Sequence, residues 1–270
     1  MSKRSVATVS SIMKNWSCLA FFGVVLLSLP AAAVQQDTAS LALVGKIVQA
    51  YGGAPVIERI TSFNAQGDII ALMRGAHGTY QRWFARPRLL KVETTYPNSS
   101  ETRILQGERS WRGSSGKSML AVTGPAHLAM VYQFKQLDLP YGLLKGSYNL
   151  RHVGTENVGA KATEVMEVWD DEGPSMRLNV DTTDYYIVKV TGYISVAGRS
   201  TNLAAEFSDF RPVEGMLMPF RIHNYASGEP LSETIIRRYT VNPEATPSRF
   251  EPPTKGLDSA LSTNAAIAPG

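Results

Sequence analysis

The stretch QGERSWRGSSGKSMLAVTG, Gln106–Gly124, admits two readings that lead to different proteins. Its SSGKS looks like the end of a phosphate-binding loop, which would put a strand before it, an amphipathic helix after it and a nucleotide between them. Such a loop needs a glycine five positions ahead of the Gly-Lys pair, so that successive backbone N–H groups can curl around the phosphates. Trp111 holds that position and the nearer Gly113 is out of register. The apolar run that follows, MLAV, is short and stops at Thr123-Gly124-Pro125. The other reading is a hairpin. RSW ends one strand, RGSSGK turns, and SMLAV begins the return, with Gly and Ser supplying the permissive backbone and self-capping side chains of a loop tip. The misplaced glycine decides for the hairpin.

Working outward, the texture on both sides is that of short strands. Upstream lie SFNAQGDIIALM, GTYQRWFA, RLLKVETTY and TRILQG, separated by Gly, Pro-Asn or Arg-Pro signals. In RLLKVETTY, Leu90, Val92 and Thr94 share one face. Downstream come NLRHVG, ATEVMEVWD, SMRLNVD, YYIVKVTGYISV, STNLAAEFSDF, LMPFRIHNYAS and LSETIIRRYTV, joined by DEGP, DTTD, AGR, VEG and SGEP, which are tight-turn sequences. The count is about ten or eleven antiparallel strands. Two helices accompany them. In DTASLALVGKIVQAYGG, Thr38 or Ser40 can cap the start, Leu41, Val44, Ile47, Val48 and Tyr51 recur at helical spacing, and Gly52-Gly53 supplies the stop. Pro55 then opens a short helical turn, PVIERI. The second helix interrupts the strands at TGPAHLAMVYQFKQLDLPYGLLKG, where Thr123 can cap, Pro125 suits the first turn, and Leu128, Val131, Tyr132 and Leu137 can face one way.

The N-terminus sets the expected compartment. Lys3, Arg4 and Lys14 precede an apolar run, Cys18–Leu29, and PAAAVQQ follows with a small-residue cleavage pattern after Ala33. Residues 1–33 therefore read as a cleaved signal peptide for export to the periplasm. The run is too short to span a bilayer comfortably. Cys18, the single cysteine, leaves with it, so no disulfide, thiolate metal site or cysteine nucleophile is expected. The cleaved chain carries 24 basic against 23 acidic residues, so the basic balance of the precursor says nothing in favour of nucleic acid. Residues 34–253 read as one domain, and residues 254–270, small and polar without pattern, as a disordered tail.

Chemistry is sparse. His77, His127, His152 and His223 lie on four different elements with no metal-type spacing. There is no G-x-S-x-G elbow for a nucleophilic serine. The carboxylates of DDEG (Asp170–Gly173) and DTTD (Asp181–Asp184) sit where the strand pattern demands turns, and the calcium-loop consensus is missing. Neither an enzyme nor a cofactor is expected. The unusual feature is an apolar surplus. A single curved sheet of this size has more inward face than two helices can fill, and such a sheet tends to enclose a cavity. The residues assigned to line it are Trp83, Trp111, Leu120, Leu128, Val131, Tyr132, Phe134, Met166, Met176 and Met218, aromatic and pliable groups suited to flexible chains.

Six segments carry a family resemblance: YGG closing the first helix, ITSFNAQGDI, the central LDLPYGLL, VDTTDYYIVKV, FSDFRPVEGMLMPFRI and VNPEATPSRFEPP. In their order and texture they resemble the outer-membrane lipoprotein-sorting proteins of the LolA/LolB-like group, over Ser40 to Pro253. The resemblance implies a mainly β fold, an incomplete antiparallel barrel closed by helices, whose apolar concavity binds acyl chains of a lipid or lipoprotein. It implies as partners those chains and a membrane-bound donor or acceptor protein. It also implies an alternative, a sensor or scaffold that uses the same concavity and signals through a protein contact. The insert AVTGPAHLAMVYQFKQLDLPYGLLKG departs from the compact shuttle of that group, and no binding residue of the shuttle carries over to a particular position here.

Overall fold

The computed structural model describes residues 37–114, 117–196 and 198–253; the expected signal peptide (1–33) and tail (254–270) lie outside them. Helix α1 (Thr38–Ala50) starts not on Thr38 or Ser40 but one residue earlier. The Asp37 carboxylate accepts the Ser40 N–H at 2.8 Å, and the same side chain accepts the His152 N–H at 3.0 Å, so one group both caps the helix and ties it to a distant strand. Leu43, Val44, Ile47 and Val48 form the buried stripe of α1, and Gly52 and Gly53, both at positive φ, end it. Helix α2 (Ala54–Arg59) follows at once.

Among the described residues, thirteen strands then form one antiparallel sheet. The first six are β1 (Ser62–Ala71), β2 (Ala76–Ala85), β3 (Leu89–Tyr96), β4 (Ser99–Gln106), β5 (Arg109–Gly113) and β6 (Leu120–Val122). Helix α3 (Gly124–Leu144) separates them from β7 (Asn149–Val158), β8 (Lys161–Trp169), β9 (Ser175–Asp181), β10 (Ile187–Val196), β11 (Arg199–Val213), β12 (Met216–Ala226) and β13 (Glu229–Val241). The count exceeds the expected ten or eleven because both arms of the hairpin at Gln106–Gly124 are strands in their own right. The order across the sheet is β6-β5-β4-β3-β2-β1-β13-β12-β11-β10-β9-β8-β7. Successive hairpins run out to one edge, α3 carries the chain to the other edge, and successive hairpins return until β13 pairs with β1. The sheet is therefore open, an incomplete barrel with β6 and β7 as its edges and α3 lying across its inner face.

The main core lies between the helices and that inner face. It holds Ile47 of α1, Ile57 of α2, Val131, Phe134 and Leu143 of α3, and inward residues such as Leu90, Met166, Leu178 and Val190. Tyr132 shows how closely α3 approaches. Its hydroxyl donates to the Val190 carbonyl at 2.9 Å, and its ring lies so near β10 that a Cβ on Gly192 would stand 2.3 Å from the ring. Only glycine leaves room there. A second, smaller core lies on the outer face. Ala85, Ile104 and Phe250 are buried in it, flanked by Trp83, Leu89, Trp111, Met119 and Ala245. It forms because the chain continues past β13 as a strap ending in a 3-10 turn, Pro247–Phe250. Asn242, at a φ of 48°, starts the strap; its side chain accepts the Thr61 N–H and donates to the Arg59 carbonyl, each at 2.9 Å.

Candidate ligand-binding site

Alternation on β2 to β5 decides what faces inward. Tyr80, Arg82 and Phe84 of β2 share the inner face with Leu90, Val92 and Thr94 of β3 and with Glu101 and Arg103 of β4. Phe84 marks where close packing ends: it is stacked between Phe63, ring centroids 4.8 Å apart, and Phe134, 5.0 Å apart. Beyond it toward Tyr80, α3 stands off β2 and meets the sheet again at β5, through His127 and Ser110. A cavity of ≈ 710 Å³ opens there between the first half of α3 and the inner faces of β1–β5 and β11–β13.

The lining is two-sided. Ile69, Leu90, Val92, Leu203, Ile222 and Leu231 make an apolar wall. Arg74, Arg82, Arg103 and Arg112, with Glu101 as the one carboxylate, make a basic wall. Glu101 is engaged by Arg112 and lies 3.7 Å from Arg103. Arg82 has no carboxylate partner among the described residues, and its Nε is buried without a hydrogen bond. From the helix side, Ala129, Tyr132, Gln133, Gln136 and Leu137 face the space. A smaller crevice of ≈ 60 Å³ adjoins it, sharing Arg82, Gln136, Leu137 and Ile222 and continuing between α3 and Phe207, Met216, Met218 and Tyr239. The cavity mouth is mixed, with exposed Arg74, Ser99, Arg112 and Ser114 beside exposed leucines. Leu231 and Leu120 belong to both lining and surface, Leu72 and Met73 occupy the β1–β2 turn beside Arg74, and Met73 is 76% exposed.

Helix α3 is held at its second half. Arg86 pairs with Asp138 at 2.6 Å, donates to the Ile60 carbonyl and stacks on Tyr141 at 3.7 Å, while Lys135 pairs with Asp170. Burial pushes the Asp138 carboxyl up to about 6 despite the guanidinium beside it. Burial likewise raises the Tyr132 and Tyr148 phenols, and takes Tyr239 up to about 12. The first turn of α3 has no such clamps. Pro125 and Ala126 are exposed, and His127 Nδ1 contacts Ser110 Oγ at 2.9 Å.

Of the residues assigned to the lining, Leu120 and Tyr132 border the large cavity and Met218 the crevice. Val131, Phe134, Met166 and Met176 are filled core, and Leu128 is half-buried on α3 outside the lining. Trp83 and Trp111 point to the outer face, where Arg249 stacks on Trp83 at 3.8 Å. The four arginines and Gln133 were not singled out. For Arg82 the signal was present in GTYQRWFA: with Phe84 inward, period two places Arg82 inward and Trp83 outward. His77, His127, His152 and His223 remain on separate elements, and no group of three metal-ligating side chains occurs among the described residues.

The sequence matches no family model and no curated protein. The fold does have counterparts. A putative outer membrane lipoprotein-sorting protein domain from Vibrio parahaemolyticus superposes with a TM-score of 0.51 at 12% identity, covering 79% of this chain and 96% of that one. A DUF1329 family protein from Desulfovibrio piger gives 0.52 at 11% identity, covering 79% and 96%. A LolA superfamily protein from Nitrosomonas europaea gives 0.50 at 17%, covering 78% and 97%. The chain shares the LolA-like fold with them.

Proposed function

We propose that this protein is an exported, periplasmic, non-catalytic carrier that holds acyl chains of a lipid or lipoprotein between α3 and the open sheet. The observation that carries this reading is the ≈ 710 Å³ cavity, within the usual range for small-ligand sites, with an apolar wall and exposed leucines at its mouth. Each methylene taken from water against Ile69, Leu90, Val92 and Ile222 contributes about 0.8 kcal/mol before ordering costs. The exposed Leu72, Met73 and Leu120 at the mouth fit a protein that receives its cargo at a membrane or from a membrane-bound donor. With α3 held by ion pairs at its second half and only by the His127–Ser110 hydrogen bond at its start, the start of the helix is the part that would lift to admit a chain. The LolA-like fold of lipoprotein-sorting structures accords with the reading.

The test is native mass spectrometry of gently purified exported protein, followed by vesicle-to-vesicle transfer of a labelled phospholipid. Co-purifying lipid and protein-dependent transfer are expected. Protein that is lipid-free as isolated and takes up no acyl probe would overturn the proposal. N-terminal sequencing of the same material should begin at or near Val34.

A further inference from the structure

We propose that the cavity selects its cargo by an oxyanion: the ligand is an anionic amphiphile whose phosphate or carboxylate pairs with Arg82 while its chain lies on the apolar wall. The proposal rests on the acyl-carrier reading and deepens it.

Arg82 is only 6% exposed, yet it borders both the large cavity and the crevice. A buried guanidinium ordinarily has a carboxylate beside it, because desolvating an unpaired charge is costly. Here what surrounds it is aromatic. Its guanidinium carbon lies 5.6 Å from the Phe63 ring and 5.8 Å from the Tyr80 ring, and the Tyr239 hydroxyl is its hydrogen-bonding neighbour while donating at 2.8 Å to the Pro219 carbonyl. Ring faces offset part of the desolvation but supply no counter-charge. Nε has no partner at all. A second donor, Arg103 Nε, likewise makes no hydrogen bond and has only the Glu101 carboxylate 3.7 Å away. Counting the titratable residues of the lining, four arginines face one glutamate, so the whole space is positive at neutral pH.

A purely hydrocarbon cargo would leave these groups desolvated and unsatisfied. A zwitterionic or cationic head would meet a like charge. An oxyanion satisfies them, since the planar guanidinium fork matches both carboxylate and phosphate. The adjoining Leu90, Val92 and Ile222 line the same cavity as the charge, so head and tail are read in one space.

The experiment uses the exported protein at neutral pH with a fluorescent apolar probe, displaced by a matched set: dodecanoate, dodecyl phosphate, dodecanol, and inorganic phosphate alone. Both anionic chains should bind at least about tenfold tighter than dodecanol, and the preference should weaken with added salt. In Arg82→Met the preference should collapse while dodecanol still binds; Arg82→Gln serves if that variant does not fold. Equal affinity of anionic and neutral chains in the wild type, which needs no variant, would overturn the anion proposal and leave the carrier reading standing. So would an undiminished preference in a folded Arg82 variant. Inorganic phosphate competing as well as dodecyl phosphate would show a free-oxyanion site and overturn the amphiphile. Failure of every chain to bind would instead sink the carrier reading beneath it.

Discussion

Between β7 and β10 the inner face of the sheet is filled, whereas between β2 and β5 it is half empty. On the filled side Met166, Val168, Met176, Leu178 and Val180 are fully covered by the helices, and Tyr132 is pressed onto Gly192 until no Cβ fits. On the open side the same alternation presents Tyr80, Arg82, Thr94, Glu101 and Arg103 to a space that α3 spans without filling. One sheet, one set of helices and one strand period produce both. The difference lies in what the inward positions carry: apolar groups where a helix sits on them, mixed basic and apolar groups where none does. An unfilled inner face that was simply leftover core would be uniformly apolar. This one is graded, and the grading is the argument for a ligand with two chemistries.

The comparison is sharpest when the same substitution is made on each side. Leu178→Ala on the filled side should lower stability by about 4 kcal/mol, toward the upper end of the usual range for leucine truncation, because its rigid neighbours cannot close the hole. Leu120→Ala on the open side, where the side chain is 69% exposed, should change stability by less than about 0.5 kcal/mol yet weaken acyl-probe displacement. Denaturant unfolding together with probe binding separates the two. A large stability loss for Leu120→Ala would mean the open side is ordinary core.

The open wing also has an outer face, and it can be broken separately. Phe250 of the strap is completely buried against Ala85 and Ile104. Phe250→Ala should cost about 3 kcal/mol, at the low end for phenylalanine because the strap can settle inward. It should also red-shift the fluorescence of Trp83 and Trp111, leaving probe affinity nearly unchanged. Loss of probe binding without a spectral change would show that the strap, not the helix side, holds the site.

That distribution explains what could be read from the sequence. The fold was legible because its determinants are local: the period of RLLKVETTY, the misplaced glycine of SSGKS, and Gly-rich turns at nearly every strand end. The lining was only partly legible. Trp83 and Trp111 are large and apolar, so they read as cavity residues; they face outward because residues 242–250 return to cover them, a contact no local pattern announces. Val131 and Phe134 sit one helical face away from the residues that border the space, since α3 from Met130 onward is covered on more than one side. Arg82 reads as a surface residue when composition is weighed and as an inward one only when strand parity is fixed by Phe84.

The clamp on α3 gives a smaller effect with a defined pH window. Asp138 ionises at about 6 in the folded chain against 3.8 when unfolded, so the folded state holds its proton more tightly. Its contribution is therefore fully present below about 3.8 and is lost as pH rises to about 6, by up to about 3 kcal/mol. Wild type minus Asp138→Asn stability should fall across that interval and be flat above it. Asp37, held down to about 2 by the Ser40 and His152 N–H groups, acts oppositely: its contribution is present above 3.8 and fades as pH falls toward 2. A difference curve for Asp138→Asn that rises between pH 4 and 6 would mean the Arg86 pair outweighs burial.

The smallest expected effect belongs to the stretch that looked most like chemistry. Lys117 lies in the turn between β5 and β6, where its backbone N–H, not its side chain, closes the loop onto the Ser114 carbonyl at 3.0 Å. Gly113, the glycine out of register with the apparent motif, serves packing: a Cβ there would stand 2.9 Å from Met119, which packs against the outer core. Gly113 thus has a structural reason to be present that involves no phosphate, and the exposed Lys117 contributes only its backbone to the turn. Lys117→Ala should leave stability within about 0.5 kcal/mol of wild type. ATP should raise the melting temperature of neither form. A nucleotide-dependent rise in the wild type that disappears in Lys117→Ala would show that the turn grips phosphate despite its misplaced glycine.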